Sequence, residues 1–299
     1  KIITLAKEKL ESLGFNFSFS KNFYEHDLLN TSDPIKRAED LNEAFADENV
    51  KAIIAVRGGF PANELLEILN YDLIKKNPKI FCGYSDITAL SNAIYAKTGL
   101  VTYSGPNFGS FAMKYGFEYT LDYFIKMLID DGSFDVLPSE FWSEDRWKKD
   151  QANRNFIKNS GPKIFREGKA EGKIVGGNMC TLQLLQGTKY YPDLKDKILF
   201  LEEDGCFEDV FKWVLDRNFT SLLQQPNAKS IKAIVFGRMR TQSKTTFEEL
   251  EYIFAKKFKD FNIPIIYNLD FGHTNPMFTF PIGGRCMIDA DDGQLYLKI

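Results

Sequence analysis

The sequence predicts an α/β protein with a doubly wound, mostly parallel N-terminal sheet and a second, C-terminal α/β domain of more antiparallel character. Two observations predict this fold class and its two domains. Short, uninterrupted apolar segments alternate with amphipathic ones, as in parallel strands that are covered by helices on both faces. The 299 residues are also enough for two domains of ordinary size. A hydrophobic content of 44% with 26% charged residues is typical of a soluble globular protein.

Charge and cysteine content exclude several classes of protein. A formal net charge of -3 gives no electrostatic basis for binding nucleic acid, so no such partner is expected. No apolar run reaches the roughly 18 residues that a membrane span needs. Cys82, Cys180, Cys206 and Cys286 are far apart and form no CxxC pair. We therefore expect reduced, buried thiols in a cytoplasmic protein.

The first predicted domain covers residues 1–137, in which helices and strands alternate. A helix starts at Ile3 and ends at Gly14, and the alternating Asn16–Phe19 segment predicts a strand. Because such a helix usually follows a strand in this class, we expect a further strand before residue 1. The remaining elements follow from apolar or amphipathic runs: helices near Ile35–Phe45, Ala62–Asn70, Ile87–Lys97 and Glu118–Asp130, and strands near Ala52–Val56, Lys79–Cys82 and Leu100–Tyr103.

A polar segment, residues 138–170, separates the two domains and is predicted to be a linker or surface loop. It contains Trp142 and Trp147 among charged residues. The second domain, residues 171–299, is predicted to end in a hairpin that turns at Asp291–Gly293. Its other elements are helices near Met179–Leu185, Phe207–Asn218 and Thr246–Phe258, and strands near Lys197–Leu201, Ala233–Phe236 and Pro264–Tyr267.

Several glycine-rich or polar turns directly follow predicted strands. Gly58-Gly59, Ser85 and Gly105-Pro106 all stand at carboxyl ends of strands in the first domain. Ligands of parallel sheets bind beyond these ends. The sequence therefore predicts a site at this edge of the sheet.

Ser85 lies in Gly83-Tyr-Ser-Asp86, between a strand and a helix. A serine on such a turn is exposed to substrate, as in the nucleophile elbow of hydrolases. The motif lacks the second glycine of GxSxG, and an alternative interpretation is a helix N-cap, with Asp86 favouring the helix dipole.

His273 is the candidate base for this serine. It follows an apolar strand in the turn-like segment 271–276, although it could also be an ordinary turn residue. His26, the other histidine, is flanked by charged residues and is predicted to be solvated. Two distant histidines form a poor zinc set, so no metal site is predicted.

Glu202 and Glu203 end another strand and could orient a histidine base, or they could belong to an ordinary surface turn. They alternate in direction, so at most one faces a site. Paired glycines such as Gly58-Gly59 leave backbone N–H groups free to face a ligand. The N–H groups of Gly59 and Asp86 are the natural pair for an oxyanion hole.

Taken together, these segments resemble the LD-carboxypeptidase family of serine peptidases, which includes the microcin C immunity peptidases. The matching segments run in order along almost the whole chain: Val56–Gly59, Asn63–Leu66, Gly83–Thr88, Tyr103–Pro106, Glu171–Asn178, Thr181–Leu185, Leu199–Glu202, Phe236–Arg238, Gly272–Pro276 and Phe280–Gly283.

The resemblance implies a site in the cleft between the two domains, with Ser85 as nucleophile, His273 as base and Glu202 as its acidic partner. Glu203 remains open as an alternative to Glu202. The resemblance also implies an oxyanion hole at Gly59 and Asp86, no cofactor, and a possible homodimer.

The same resemblance implies two substrate classes. Immunity members cut the amide that joins an aminoacyl or peptidyl group to a nucleotide, and murein-recycling members release a terminal D-alanine from a tetrapeptide. A tryptophan in the 138–147 segment favours the first, since Trp147 or Trp142 could stack on the base, unless it packs the loop onto the core. Gly58 and Arg238 are further candidate substrate-binding residues.

A catalytically inactive two-domain binding protein is the alternative from another functional class. A nucleotide-binding enzyme on the doubly wound sheet is a third alternative, although the GxGxxG fingerprint is missing.

Overall fold

A computed structural model describes residues 1–130, 132–205 and 208–299, so the predictions for Cys206 and for a helix start at Phe207 lie outside the described residues. The α-helices are α1 Ile2–Ser12, α2 Pro34–Ala46, α3 Tyr71–Lys76, α4 Thr88–Thr98, α5 Glu118–Leu128, α6 Met179–Gln183, α7 Phe211–Leu223 and α8 Phe247–Lys257. The strands are β1 Ala52–Ile54, β2 Ile80–Cys82, β3 Thr102–Ser104, β4 Phe141–Trp142, β5 Ile157–Lys158, β6 Lys163–Arg166, β7 Gly168–Asn178, β8 Lys197–Glu202, β9 Ala233–Gly237, β10 Ile265–Leu269, β11 Phe280–Ile282, β12 Arg285–Ala290 and β13 Tyr296–Lys298.

The N-terminal sheet has four strands in the order β1-β2-β3-β11. The first three run parallel, as the apolar runs predict, and β11 pairs antiparallel with β3. This last strand comes from near the end of the chain. The first sheet is therefore completed by the C-terminal part of the sequence.

The second sheet has seven strands in the order β13-β12-β7-β8-β9-β10-β6. Its centre, β7 to β10, is parallel, whereas β6, β12 and β13 are antiparallel additions at the two sides. The predicted α/β class is confirmed, including the antiparallel character of the second half.

Helix α4 joins the two sheets through buried polar side chains. The Asn92 amide donates to the carbonyl of Gly176 (2.8 Å) and accepts from its N–H (3.1 Å). The Thr88 hydroxyl accepts from the N–H of Asn178 at 3.0 Å. These bonds fix the start of α4 against the carboxyl end of β7.

Two predicted elements of the first half are wrong. The described Asn16–Phe19 segment forms no strand. Its alternating phenylalanines instead pack on the core: the rings of Phe17 and Phe19 lie 5.7 and 5.5 Å from that of Phe108. In place of the helix over 62–70 there is a 3-10 turn, Ala62–Leu65, and then α3. The side chain of Asn70 caps α3 by accepting from Leu73 N–H.

The 138–170 segment contains more regular structure than a linker. Strands β4 and β5 pair with each other, and β6 is an edge strand of the large sheet. The domain limits at 137 and 171 stay predictions. None of the described helices is long and apolar enough to cross a membrane.

Candidate active site

Ser85 stands on the turn between β2 and α4 and has a strained backbone. Its φ of +66° is unusual for a residue with a side chain, and such a conformation costs of order 1–3 kcal/mol. Gly83 makes the turn possible, because a Cβ there would lie 2.9 Å from that of Ala55. The Ser85 hydroxyl does not cap the following helix; it is hydrogen-bonded to His273.

Three side chains form a hydrogen-bonded relay. His273 Nε2 lies 3.0 Å from Ser85 Oγ, and His273 Nδ1 lies 2.7 Å from Glu202 Oε2. The carboxylate can only accept, so Nδ1 carries the proton and Nε2 is free to accept one from the serine. This is the arrangement that activates a serine hydroxyl as a nucleophile.

The carboxylate of Glu202 is itself fixed and buried. Its Oε1 accepts from the Asn178 side-chain amide at 3.1 Å, and Glu202 is only 3% exposed. Burial by itself would lower the pKa of His273, but the charge of Glu202 and its hydrogen bond outweigh that effect. The pKa of His273 is therefore raised above its ordinary value.

Two glycines allow the loop after β10 to meet the end of β8. Gly272 has φ +105°, and a Cβ there would lie 2.7 Å from Glu202 Oε2. At Gly237, at the end of β9, a Cβ would lie 2.6 Å from the Phe271 carbonyl oxygen. The loop after β10 can approach the end of β8 only because both positions lack a side chain.

Glu203 points away from the relay. It is as buried as Glu202, and its Oε1 accepts from the Asn218 side chain at 3.1 Å. Burial raises the pKa of Glu203 to about 7. Of the two neighbouring carboxyls, Glu202 is the one that contacts His273.

The Gly58-Gly59 turn lies against Ser85. A Cβ at Gly58 would stand 2.7 Å from the Cβ of Ser85 and 3.3 Å from the backbone nitrogen of Asp86. Within the residues that the structure describes, the N–H groups of Gly59 and Asp86 donate to no protein acceptor. Both donors are therefore free to bind a ligand next to Ser85.

A cavity of about 170 Å³ opens beside His273. Its wall mixes acidic, basic and aromatic side chains from five parts of the chain: Tyr84, Ser110, Glu144–Lys148, Arg240, and Gly272–Asn275 with Met277. Trp147 is part of this wall, yet only 8% of it is exposed, and it also packs in the core around Phe108. Its indole ring is covered on one side by Lys148, whose Nζ is 5.5 Å from the ring.

Two of the predicted substrate-binding residues lie elsewhere. Trp142 and Arg238 do not line this cavity; the Arg238 guanidinium stacks on the Trp142 ring at 5.1 Å. Arg238 also forms a buried ion pair with Asp270 and donates to Asn159 Oδ1 at 3.0 Å. These contacts tie the 138–160 segment to the ends of β9 and β10.

Sequence reasoning missed Asn178 as the second partner of Glu202. Its place directly before α6 marks it as a helix N-cap, and its Oδ1 does accept from Thr181 N–H at 3.0 Å. The sequence signal that could have identified Asn178 is its position directly after Gly176-Gly177 at the end of a strand. In the described part of the chain, no group of three or more His, Cys, Asp or Glu side chains is arranged to hold a metal ion.

Comparisons with known proteins match both halves of the chain to one family and to solved structures of the same fold. The LD-carboxypeptidase N-terminal domain matches residues 1–105, and the C-terminal domain of the same family matches residues 171–288. YocD of Bacillus subtilis, named as a presumed carboxypeptidase, is 47% identical over 96% of this chain and 88% of its own length. The crystal structure of an MccF-like protein from Bacillus anthracis superposes with a TM-score of 0.98 at 52% identity, covering 100% of this chain and 91% of that one.

Two more distant relatives have names that state a substrate or ligand. A solved structure of MccF, the microcin C7 self-immunity protein, in complex with glutamyl sulfamoyl guanosine has a TM-score of 0.84 at 30% identity, covering 100% of this chain and 90% of that one. A Bacillus subtilis protein named as a probable murein peptide carboxypeptidase is 29% identical over 94% of this chain and 82% of its own. Since both domains of one peptidase family match in order, and these relatives are matched along most of their length, the protein belongs to the LD-carboxypeptidase family.

Proposed function

We propose that the protein is a serine-type amide hydrolase in which Ser85 is the nucleophile, His273 the general base and Glu202 the residue that orients the base. The observation that carries this proposal is the continuous relay of hydrogen bonds from Ser85 Oγ through both nitrogens of His273 to Glu202. Its geometry supplies what a serine needs at neutral pH: an acceptor for its proton and a carboxylate that stabilises the imidazolium.

The proposed reaction has two halves. Ser85 Oγ attacks the amide carbonyl while its proton moves to His273 Nε2, and the N–H groups of Gly59 and Asp86 bind the oxyanion. His273 then gives the proton to the leaving amine, which departs and leaves an ester on Ser85. Water attacks this ester with the same base, and the acid product is released.

We propose that the substrate is an aminoacyl or peptidyl group joined by an amide to a nucleotide-like group, as in microcin C immunity. The solved MccF complex with glutamyl sulfamoyl guanosine supports this class of ligand. In this chain, the cavity next to His273 is walled by Trp147 and by the cationic side chains of Arg146, Lys148 and Arg240. An aromatic ring and positive charges suit a base and an anionic linkage.

The second candidate substrate is a murein tetrapeptide that loses its terminal D-alanine. The relative named as a murein peptide carboxypeptidase supports it. The same arginine and lysine side chains in the wall would then bind the terminal carboxylate. The two candidates share the relay and differ in the group that occupies the cavity.

The test is hydrolysis of both substrates by one preparation, followed by mass spectrometry. The two probes are an aminoacyl sulfamoyl adenosine and a murein tetrapeptide ending in D-alanine, each with wild type, Ser85→Ala and the surface control Ser12→Ala. We expect cleavage by wild type and by the control, and a loss of about 10⁴-fold or more in Ser85→Ala.

The pattern of cleavage decides between the proposals. Cleavage of one probe selects the substrate class. Cleavage that survives in Ser85→Ala would refute the serine mechanism, and binding without cleavage of either probe would favour the binding-protein alternative. The cytoplasmic location and the homodimer stay predictions, and sedimentation of the purified protein tests the second.

A further inference from the structure

The turn that carries Gly59 is held firmly at its start. The carbonyl oxygens of Ala55 and Val56 accept from Phe108 and Gly109 N–H at 2.8 and 3.2 Å. Beyond them, the side chain of Phe60 is 89% exposed and gives the turn little packing. At the far end of the turn, Ala62 is buried in the main hydrophobic cluster, so its backbone N–H needs an acceptor within the protein.

The side chain of Asp86 holds that far end. Its Oδ2 accepts from the N–H of Ala62 at 2.8 Å, and the residue is only 4% exposed. Pro61 has no N–H, so Ala62 offers the first donor after Phe60. A Cβ at Gly59 would lie 3.8 Å from the same Oδ2, which places the carboxylate directly beside the turn.

Arg37 holds the turn from α2. Its Nη1 donates to the carbonyl of Pro61 at 3.2 Å, its Nε donates to Ser32 O at 3.0 Å, and its guanidinium pairs with Glu64. Burial raises the pKa of Asp86, although the Ala62 N–H and the charge of Arg37 oppose this effect. The carboxylate is thus kept in an environment that disfavours its charge.

We propose that Asp86 is a positioning residue that sets the separation of the two oxyanion donors, one being its own backbone N–H and the other that of Gly59. The backbone of Asp86 is fixed next to Ser85, and its side chain reaches across to fix the end of the Gly59 turn. One residue thereby connects the nucleophile to both donors. This inference rests on the proposed function, because it assigns the two N–H groups to the oxyanion.

The test compares Asp86→Ala, which removes the acceptor for Ala62 N–H, with Asp86→Asn, whose amide oxygen can still accept. Asp72→Ala, an exposed acid on α3, is the control. With the aminoacyl sulfamoyl adenosine or the murein tetrapeptide, whichever wild type cleaves, we expect kcat to fall about 10- to 100-fold in Asp86→Ala. KM should stay within about threefold, and Asp86→Asn should recover most of the lost kcat.

A crystal structure of Asp86→Ala gives a readout that does not depend on turnover. We expect the Gly59 nitrogen to have moved relative to Ser85 while the rest of the sheet is unchanged. An unmoved turn, an unchanged kcat, or a loss of kcat in Asp86→Asn as large as in Asp86→Ala would overturn the proposal. Failure of the proposed function looks different: Ser85→Ala would remain active, or wild type would cleave neither probe, while the crystal structure would still test the position of the turn.

Discussion

Glu202 and Glu203 are neighbours with equal burial, yet their carboxyls face different partners. Glu202 contacts His273 and Asn178, whereas Glu203 contacts Asn218. The difference follows from the alternation of side chains along a strand, which sends consecutive residues to opposite faces. Glu202 therefore belongs to the hydrogen-bonded relay, whereas its neighbour Glu203 bonds to Asn218 in the protein interior.

Replacing each carboxyl by its amide tests this difference. We expect Glu202→Gln to lower kcat by about 10⁴-fold, because the amide can donate to Nδ1 and stabilise the wrong tautomer of His273. Glu203→Gln is the matched control, and its amide oxygen can still accept from Asn218. It should keep kcat within about threefold, a change of less than about 1 kcal/mol in the barrier. The opposite ranking in steady-state kinetics would assign the relay to Glu203.

The pH profile reports on the same contact. Only neutral His273 can accept the serine proton, so kcat/KM should fall as the pH drops through the pKa of His273. That pKa is raised by Glu202, so the acid limb of wild type should lie above the ordinary histidine value of about 6.5. In Glu202→Gln, the main interactions that raise the pKa of His273 are lost while burial still lowers it, so the acid limb of the residual activity should move to lower pH. An acid limb that stays in place in the variant would contradict this account.

Helix α4 is the element that holds Ser85 in place relative to His273 and Glu202. It starts just after Ser85, and Asn92 bonds it to Gly176, two residues before Asn178 on β7. Asn92 is fully buried, so its removal would leave the N–H and C=O of Gly176 without their partner.

We expect Asn92→Ala to lower the free energy of unfolding by about 2–4 kcal/mol and to lower kcat as well. The surface variant Asn49→Ala, whose side chain bonds to Asp47, is the control. Urea unfolding and steady-state kinetics measure the two effects. Normal kcat in a destabilised Asn92→Ala would show that α4 supports the fold without positioning the site.

The secondary-structure elements also show how much of the fold the sequence could predict. Ala52–Ile54 and Ile80–Cys82 are strands inside uninterrupted apolar runs, and the site turns follow them as predicted. Alternation at Asn16–Phe19 indicated one buried face but could not show whether a neighbouring strand was present to pair with. Strand β6 was missed because it is short, half-buried along its length and at a sheet edge, where apolar patterning is weak.

For the site, the sequence could indicate the residue types and their positions after strands. It could not give the distances between the side chains. Ser85 and His273 are separated by 188 positions and are nevertheless in hydrogen-bonding distance. Arg238 is a candidate substrate-binding residue through the family resemblance. Its buried partner Asp270, which holds it away from the cavity wall, comes from a distant part of the sequence and could not be anticipated.

The two halves of the molecule share a large hydrophobic cluster. The largest buried cluster contains Phe45, Leu66 and Leu90 from the first half together with Val175 and Leu199 from the second. The α4–β7 bonds cross the same boundary. Neither half can expose its side of this cluster without destabilising the other.

We therefore expect the protein to unfold in one cooperative step. Scanning calorimetry should give a single transition with equal calorimetric and van't Hoff enthalpies. A bound, uncleaved substrate analogue should move that single transition upward in temperature. Two separate transitions would show that the halves are independently stable.

The order of strands in the N-terminal sheet has a consequence for biosynthesis. Its fourth strand, β11, is among the last segments of this sequence to leave the ribosome, and His273 precedes it only slightly. A nascent chain that contains Ser85 but ends well before residue 273 has neither the closing strand nor His273. Until β11 has been synthesised, the open edge of β3 is the surface that a chaperone would need to shield.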